Sequence, residues 1–234
     1  MAGSIFAAQR VETEAAAPAH IYLQPIAAPS VLGLFAFAGA TFMVAAHMAR
    51  WYGGVNTDLY LAAFAATFGG IAQFAAGMWA FKARDAVATA MHGTWGAFWM
   101  AYGLLEYAFV SGTLQRPTGA FPALGYWFIV LAAITWMGAW AATAENKLLA
   151  TVLVFLAGGS TIAAIAELTG SGGLEIFGGY LFIISAIIAW YTASAIMLEG
   201  AFHRTVLGSG RTERAKHEPS LMPGQGEPGV IRGQ

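Results

Sequence analysis

Six stretches of this chain run 19 to 24 residues without a Lys, Arg, Asp or Glu: Val31 to Ala49, Leu59 to Phe81, Ala86 to Leu105, Phe121 to Ala144, Leu148 to Ala166 and Ile176 to Leu198. A helix of roughly 20 apolar residues crosses the hydrocarbon core of a bilayer, about 30 Å thick. The pattern therefore predicts an all-α membrane protein of six transmembrane helices. Lipid offers no partner to backbone N–H and C=O groups, so a span must be a helix or part of a closed barrel. Barrel strands would read as alternating segments of about ten residues; the runs here are continuous.

Composition agrees, with 58% hydrophobic and 10% charged residues against about a quarter charged in soluble domains. Basic residues in the connections set the expected orientation. Arg10, Lys82, Arg84, Lys147, Arg204, Arg211, Arg214, Lys216 and Arg232 fall on one side and Arg50 and Arg116 on the other. Both termini are thus expected in the cytoplasm, with the protein in the inner or plasma membrane. Residues 1–28 read as a cytoplasmic tail without a cleavable signal, 29–207 as the membrane domain, and 208–234, rich in Gly, Pro and charge, as a disordered cytoplasmic tail.

Within the second span, Ala62, Ala66 and Gly70, and on a neighbouring line Ala65, Gly69, Ala72 and Ala76, repeat at helical spacing. Such small-residue stripes let membrane helices approach closely. Gln73 interrupts the stripe with an amide that is costly to leave unpaired in hydrocarbon; it faces either another helix or a wet cavity. His47, His92, Glu106 and Glu167 lie in or beside the spans. Intramembrane ionisable groups are functional suspects, and His47 is the one singled out for proton handling. Trp51, Tyr52, Tyr60, Tyr107, Tyr126 and Trp127 sit at belt depth, while Trp95 and Trp99 lie deeper, where an aromatic packs the bundle or narrows a path.

Several chemistries are excluded or unsupported. There is no Walker-type phosphate loop and no dinucleotide turn, so neither ATP hydrolysis nor a nucleotide cofactor is indicated. GGST at 158–161 supplies a serine, but the sixth span holds no histidine to act as its base. No span carries the lysine that a retinal Schiff base needs, and zero cysteines rule out thiolate-ligated metals. An enzyme is not expected, nor a cofactor, a metal or a nucleic-acid partner.

The blocks LGLFAF (32–37), FGGIAQFAAG (68–77), GAFW (96–99), GGY (178–180), AWY (189–191) and FHRTVL (202–207), in this order, resemble the acetate uptake transporter family, whose bacterial members are succinate–acetate permeases. The resemblance covers about Pro29 to Leu207. It implies six spans with cytoplasmic termini, a homohexamer with one pathway per protomer, and transport of acetate, succinate or related carboxylates, in some members with protons. The family's Asn-Pro-Ala-Pro-Leu-Gly-Leu motif falls on 28–34, bringing Leu32 and Gly33 to the pathway; its asparagine is Ala28 here and its second proline Val31. The family's constriction of phenylalanine, tyrosine and leucine maps to Phe37, Trp95 and Leu156, with tryptophan in place of tyrosine. Ala189 takes a lining position in the sixth span, and a second-span glutamate of some members is Ala80.

Acetate is almost wholly anionic near pH 7, like a side-chain carboxylate of pKa about 4, and crosses bare lipid poorly. Neutral donors such as Thr41, Gln73 and Thr94 would lower that barrier without the tight binding of a fixed lysine, and Gly69 and Gly70 would bring helices close around the path. An anion channel and a proton-coupled symporter use the same lining, so both readings stand. So do transport of another small solute, such as ammonia, and a non-transporting scaffold.

Overall fold

The computed structural model describes residues 26–212. Six long helices form it: Pro29–Met48, Thr57–Ala83, Ala86–Val110, Pro122–Ala142, Lys147–Thr169 and Gly172–Phe202. Their ends follow local chemistry rather than the limits of the uncharged windows. Proline opens the first and fourth, where its missing N–H costs nothing. Asp85, Asn146 and Ser171 cap the third, fifth and sixth by accepting from backbone N–H groups. Gly170, at φ 67°, closes the fifth. A Cβ there would also lie 2.9 Å from Ala120 N.

Five of the helices are long and apolar enough to cross a membrane. The 25-residue third helix is long enough but too polar to qualify by composition. His92, Thr94, Glu106 and several glycines dilute it, and it is the helix that contributes most to the interior cavities described below. The multi-pass membrane fold thus places its least lipid-like helix around the interior.

The helices close a ring in chain order, each packed on its sequence neighbours and the sixth returning to the first. Glycines set the closest crossings. A Cβ at Gly77 would lie 2.6 Å from Gly93 N, one at Gly96 2.6 Å from Phe74 N, and one at Gly70 3.0 Å from Met100 N, so the second and third helices meet backbone to backbone. The second helix widens to π geometry over Ala65–Ala72, between α-helical turns Thr57–Phe64 and Gln73–Ala83. Large apolar side chains including Trp79, Leu104, Trp140 and Trp190 face outward, where lipid rather than water meets them.

Residues 208–212, the first of the expected C-terminal tail, are held against the helical domain. Lys147 N donates to Gly210 O at 2.8 Å, Thr212 N to Glu145 O at 3.0 Å and Asn146 Nδ2 to Ser209 O at 2.8 Å, which tie 208–212 to the connection between the fourth and fifth helices. Composition hides this because each of these bonds ends on a backbone carbonyl. Residues 1–25 and 213–234, with most of the two expected tails, lie outside the described residues.

Candidate functional site: two cavities and a septum

Two cavities occupy the centre of the ring. The wide one, about 450 Å³, opens at the end carrying Arg50 and Arg116; the narrow one, about 20 Å³, lies toward the Lys147 end and is lined by the first turns of the fifth helix. Trp95 and Leu156 line both, so they are the partition between them. Phe37 lines the narrow side and meets the Trp95 ring edge-on, with centroids 6.4 Å apart and planes at 71°. All three are at most 3% exposed. Three helices therefore bring the expected constriction residues together at one level.

The indole is held in place. Trp95 Nε1 donates to Thr135 Oγ1 at 3.0 Å, and that hydroxyl donates to Leu131 O at 2.6 Å, anchoring the ring to the fourth helix. The neighbouring Phe98 packs on it with centroids 5.2 Å apart. Sequence reasoning missed Thr135, whose only signal is that it is the sole serine or threonine between Pro122 and Ala142.

On the wide side, Thr41 and Trp99 line the cavity at 3% and 4% exposure, and neither Thr41 Oγ1 nor Trp99 Nε1 has a hydrogen-bond partner. The indole nitrogen can only donate and the hydroxyl can donate, so this pair is complementary to an acceptor. Gly69 makes their arrangement possible, since a Cβ there would lie 2.5 Å from Ala40 Cβ and 2.7 Å from Trp99 Cγ.

Ionisable groups crowd the mouth of the wide cavity. Arg116 bonds Glu106 and, at 3.0 Å, Asp58; Arg50 reaches Glu175 at 2.6 Å; His47 Nε2 lies 3.7 Å from Asp58. Burial works against the charge on Arg116, but the hydrogen bond and charge of Glu106, helped by Asp58, outweigh it and raise its pKa above the ordinary value. With Glu167, the lining holds four carboxylates against two guanidinium groups. Glu106 and Arg116 pair across ten residues and a loop, a separation that no helical periodicity reveals.

On the narrow side, Gln73 is 2% exposed with Oε1 unpartnered, and His92 is 4% exposed with Nδ1 unpartnered. Gly33 lies against the His92 ring. The remaining expected lining residues fall elsewhere. Gly70 packs on Met100, Leu32 is 47% exposed and Ala189 is fully buried in the helix packing. Thr94 spends its hydroxyl on Ala90 O. These four line neither cavity. Among the described residues there is no cluster of His, Cys, Asp and Glu fit to hold a metal.

The family model described as "GPR1/FUN34/yaaH family" matches residues 11–205. The chain belongs to that family. It is 29% identical over 185 residues to the Ammonia transport outward protein 2 of Saccharomyces cerevisiae, covering 77% of this chain and 64% of that protein. It is 25% identical over 187 residues to the Succinate-acetate/proton symporter SatP of Escherichia coli K12, covering 80% and 97%. The chain spans less than two thirds of the length of the first fungal relatives it matches, 64%, 62% and 63%. The structure titled as the bacterial acetate channel SatP superimposes with a TM-score of 0.72 at 23% identity, over 78% of this chain and 98% of that one. That likeness establishes the six-helix fold for a membrane protein whose relatives include proteins named as transporters and a channel.

Proposed function

We propose that this protein moves acetate or a similar small carboxylate, such as succinate, across the cell membrane through the two cavities and the Phe37–Trp95–Leu156 septum. The observation that carries this reading is the pair of buried, unpartnered donors, Thr41 Oγ1 and Trp99 Nε1, on two side chains that line the wide cavity with the septum residues Trp95 and Leu156. A buried donor without a partner is costly, and a carboxylate oxygen removes that cost. Neutral donors hold an anion without trapping it, as a fixed cation would. The septum then sets the size limit, because the narrowest step in any crossing is past Trp95. The names of the SatP symporter and of the Aspergillus clavatus Acetate transporter protein patA, 23% identical over 189 residues, support the choice of solute. Assembly as a hexamer with cytoplasmic termini belongs to the same proposal.

The excess of carboxylates at the mouth and the name of the yeast ammonia protein favour one competing reading, ammonium or ammonia as cargo. Liposomes containing the full chain separate the two. Labelled acetate should enter faster than into empty liposomes, with and without a pH gradient, while labelled methylammonium should not. The reverse pattern would replace the carboxylate reading, and neither flux would leave the fold as a scaffold.

A further inference from the structure

The connection between the third and fourth helices forms part of the wall of the wide cavity at its mouth. Residues 111–120 carry neither helix nor strand and are all exposed, yet Arg116, Pro117 and Gly119 line the cavity. Both ends of the connection are tied down. Leu114 N donates to Ala108 O at 3.0 Å, and Phe121 N to Glu167 O at 2.7 Å. Between those two bonds, the Arg116 side chain makes the only hydrogen bonds among the described residues. Its guanidinium reaches Asp58 at the start of the second helix, at 3.0 Å, and Glu106 on the third, and Cζ lies 4.7 Å from the centre of the Phe109 ring. Gly112 and Gly119, at φ 75° and 92°, flank the stretch in a backbone region that other residues disfavour. A Cβ at either would meet nothing within 4 Å, so backbone freedom rather than space is what glycine supplies there.

We propose that residues 115–118 are a lid on the wide cavity, pivoting about Gly119 and the turn at Gly112, and latched shut by the bonds of Arg116 to Asp58 and Glu106. The latch releases before a solute enters from this side and reaches Thr41 and Trp99. A segment whose backbone groups make no bonds to the rest of the fold opens at little cost beyond that of its side-chain anchor. The anchor is firm but releasable: Glu106 is buried, whereas the side chains of Arg116 and Asp58 are 48% and 38% exposed, where water competes for their charges. Its two carboxylates stand on different helices, so one arginine draws the connection over the gap between the second and third helices. The inference rests on the carboxylate reading for what the lid admits; the movement itself is read without a solute.

The test uses the full chain, which has no native cysteine, with Val44→Cys as reporter, since Val44 is buried and lines the wide cavity. In detergent solution a small charged thiol reagent should label this chain slowly. Adding Arg116→Ala together with Glu106→Gln should speed labelling roughly tenfold, the shift expected from losing partly exposed ion pairs; the second substitution keeps the first from leaving a bare carboxylate. Raising the ionic strength should speed labelling of the reporter chain and leave the latchless chain unchanged, because salt screens only a latch that is present. In liposomes, Asp58→Cys with Arg116→Cys should take up labelled acetate, and joining the two thiols with a bifunctional maleimide should stop that uptake. Equal labelling rates in the two folded chains at every ionic strength overturn the inference, as does full acetate uptake with the cross-link in place. Liposomes that take up no acetate in any form remove the carboxylate reading, and the labelling rates then decide the lid by themselves.

Discussion

Trp95 Nε1 donates to Thr135 Oγ1 at 3.0 Å, and through that one bond a side chain of the third helix is oriented by the fourth. The indole blocks the way between the cavities in the pose that this hydroxyl selects.

Thr135→Val keeps the shape and removes the acceptor. The buried indole N–H then loses its partner, at a cost of about 1–3 kcal/mol, and the ring gains freedom to swing. Flux of lactate relative to acetate should rise several-fold per folded molecule, and rise further in Trp95→Ala, because widening an apolar constriction hydrates it. Unchanged relative flux in both folded variants would reduce Trp95 to a packing residue.

The glycines of the second and third helices should separate sharply. Gly77→Ala and Gly96→Ala force a methyl against backbone nitrogen at 2.6 Å, and a backbone cannot step aside as a side-chain tip does. Each should lower stability by about 1–3 kcal/mol. At Gly93 a Cβ meets nothing within 4 Å, so Gly93→Ala should be neutral or gain up to about 1 kcal/mol from helix propensity. Thermal unfolding in one detergent ranks the three; equal losses would refute the close crossing.

Removing Arg116 strands Glu106, whose side chain is 6% exposed while that of Arg116 is 48% exposed. Breaking a fully buried pair costs about 3–5 kcal/mol, and half-exposure of the arginine scales this down. Arg116→Ala should therefore cost about 1–3 kcal/mol, and Glu106→Gln in the same chain should recover much of it. A double-mutant cycle on thermal stability reads the coupling; additive losses would show that the pair contributes nothing.

The chain has no native cysteine, so single introduced thiols report orientation cleanly. Thr113→Cys, in the exposed loop beside Arg116, should react with an impermeant reagent in intact cells; Thr205→Cys, after the sixth helix, should react only after lysis. Labelling of Thr205→Cys in sealed cells would invert the assigned topology.

The number and approximate limits of the helices were legible in the chain because the bilayer imposes a single length and polarity rule on every span, whatever its neighbours. Window edges misplaced helix ends by a few residues. Charge marks the lipid boundary, whereas the helix starts where a cap such as Asn146 satisfies its first N–H groups and stops at a left-handed residue such as Gly170. The stripes containing Gly69 and Gly70 announced close packing, but the partners, the first and third helices, are a matter of tertiary contact.

For the site, residue type singled out Gln73 as expensive to bury and Thr41 and Thr94 as neutral donors for an anion. Thr94 is chemically the same kind of residue as Thr41, yet its hydroxyl bonds Ala90 O while that of Thr41 stays unpartnered against the wide cavity. Sequence by itself determined that the chain is a multi-span membrane protein with a few polar groups to satisfy inside. Only the tertiary structure decided that Trp95 is fastened to Thr135 and that Arg116 closes on Glu106. Membrane insertion depends on each segment's own transfer free energy, which is additive along the chain, whereas hydrogen-bond partnership depends on distances between segments that the packing of the whole ring sets.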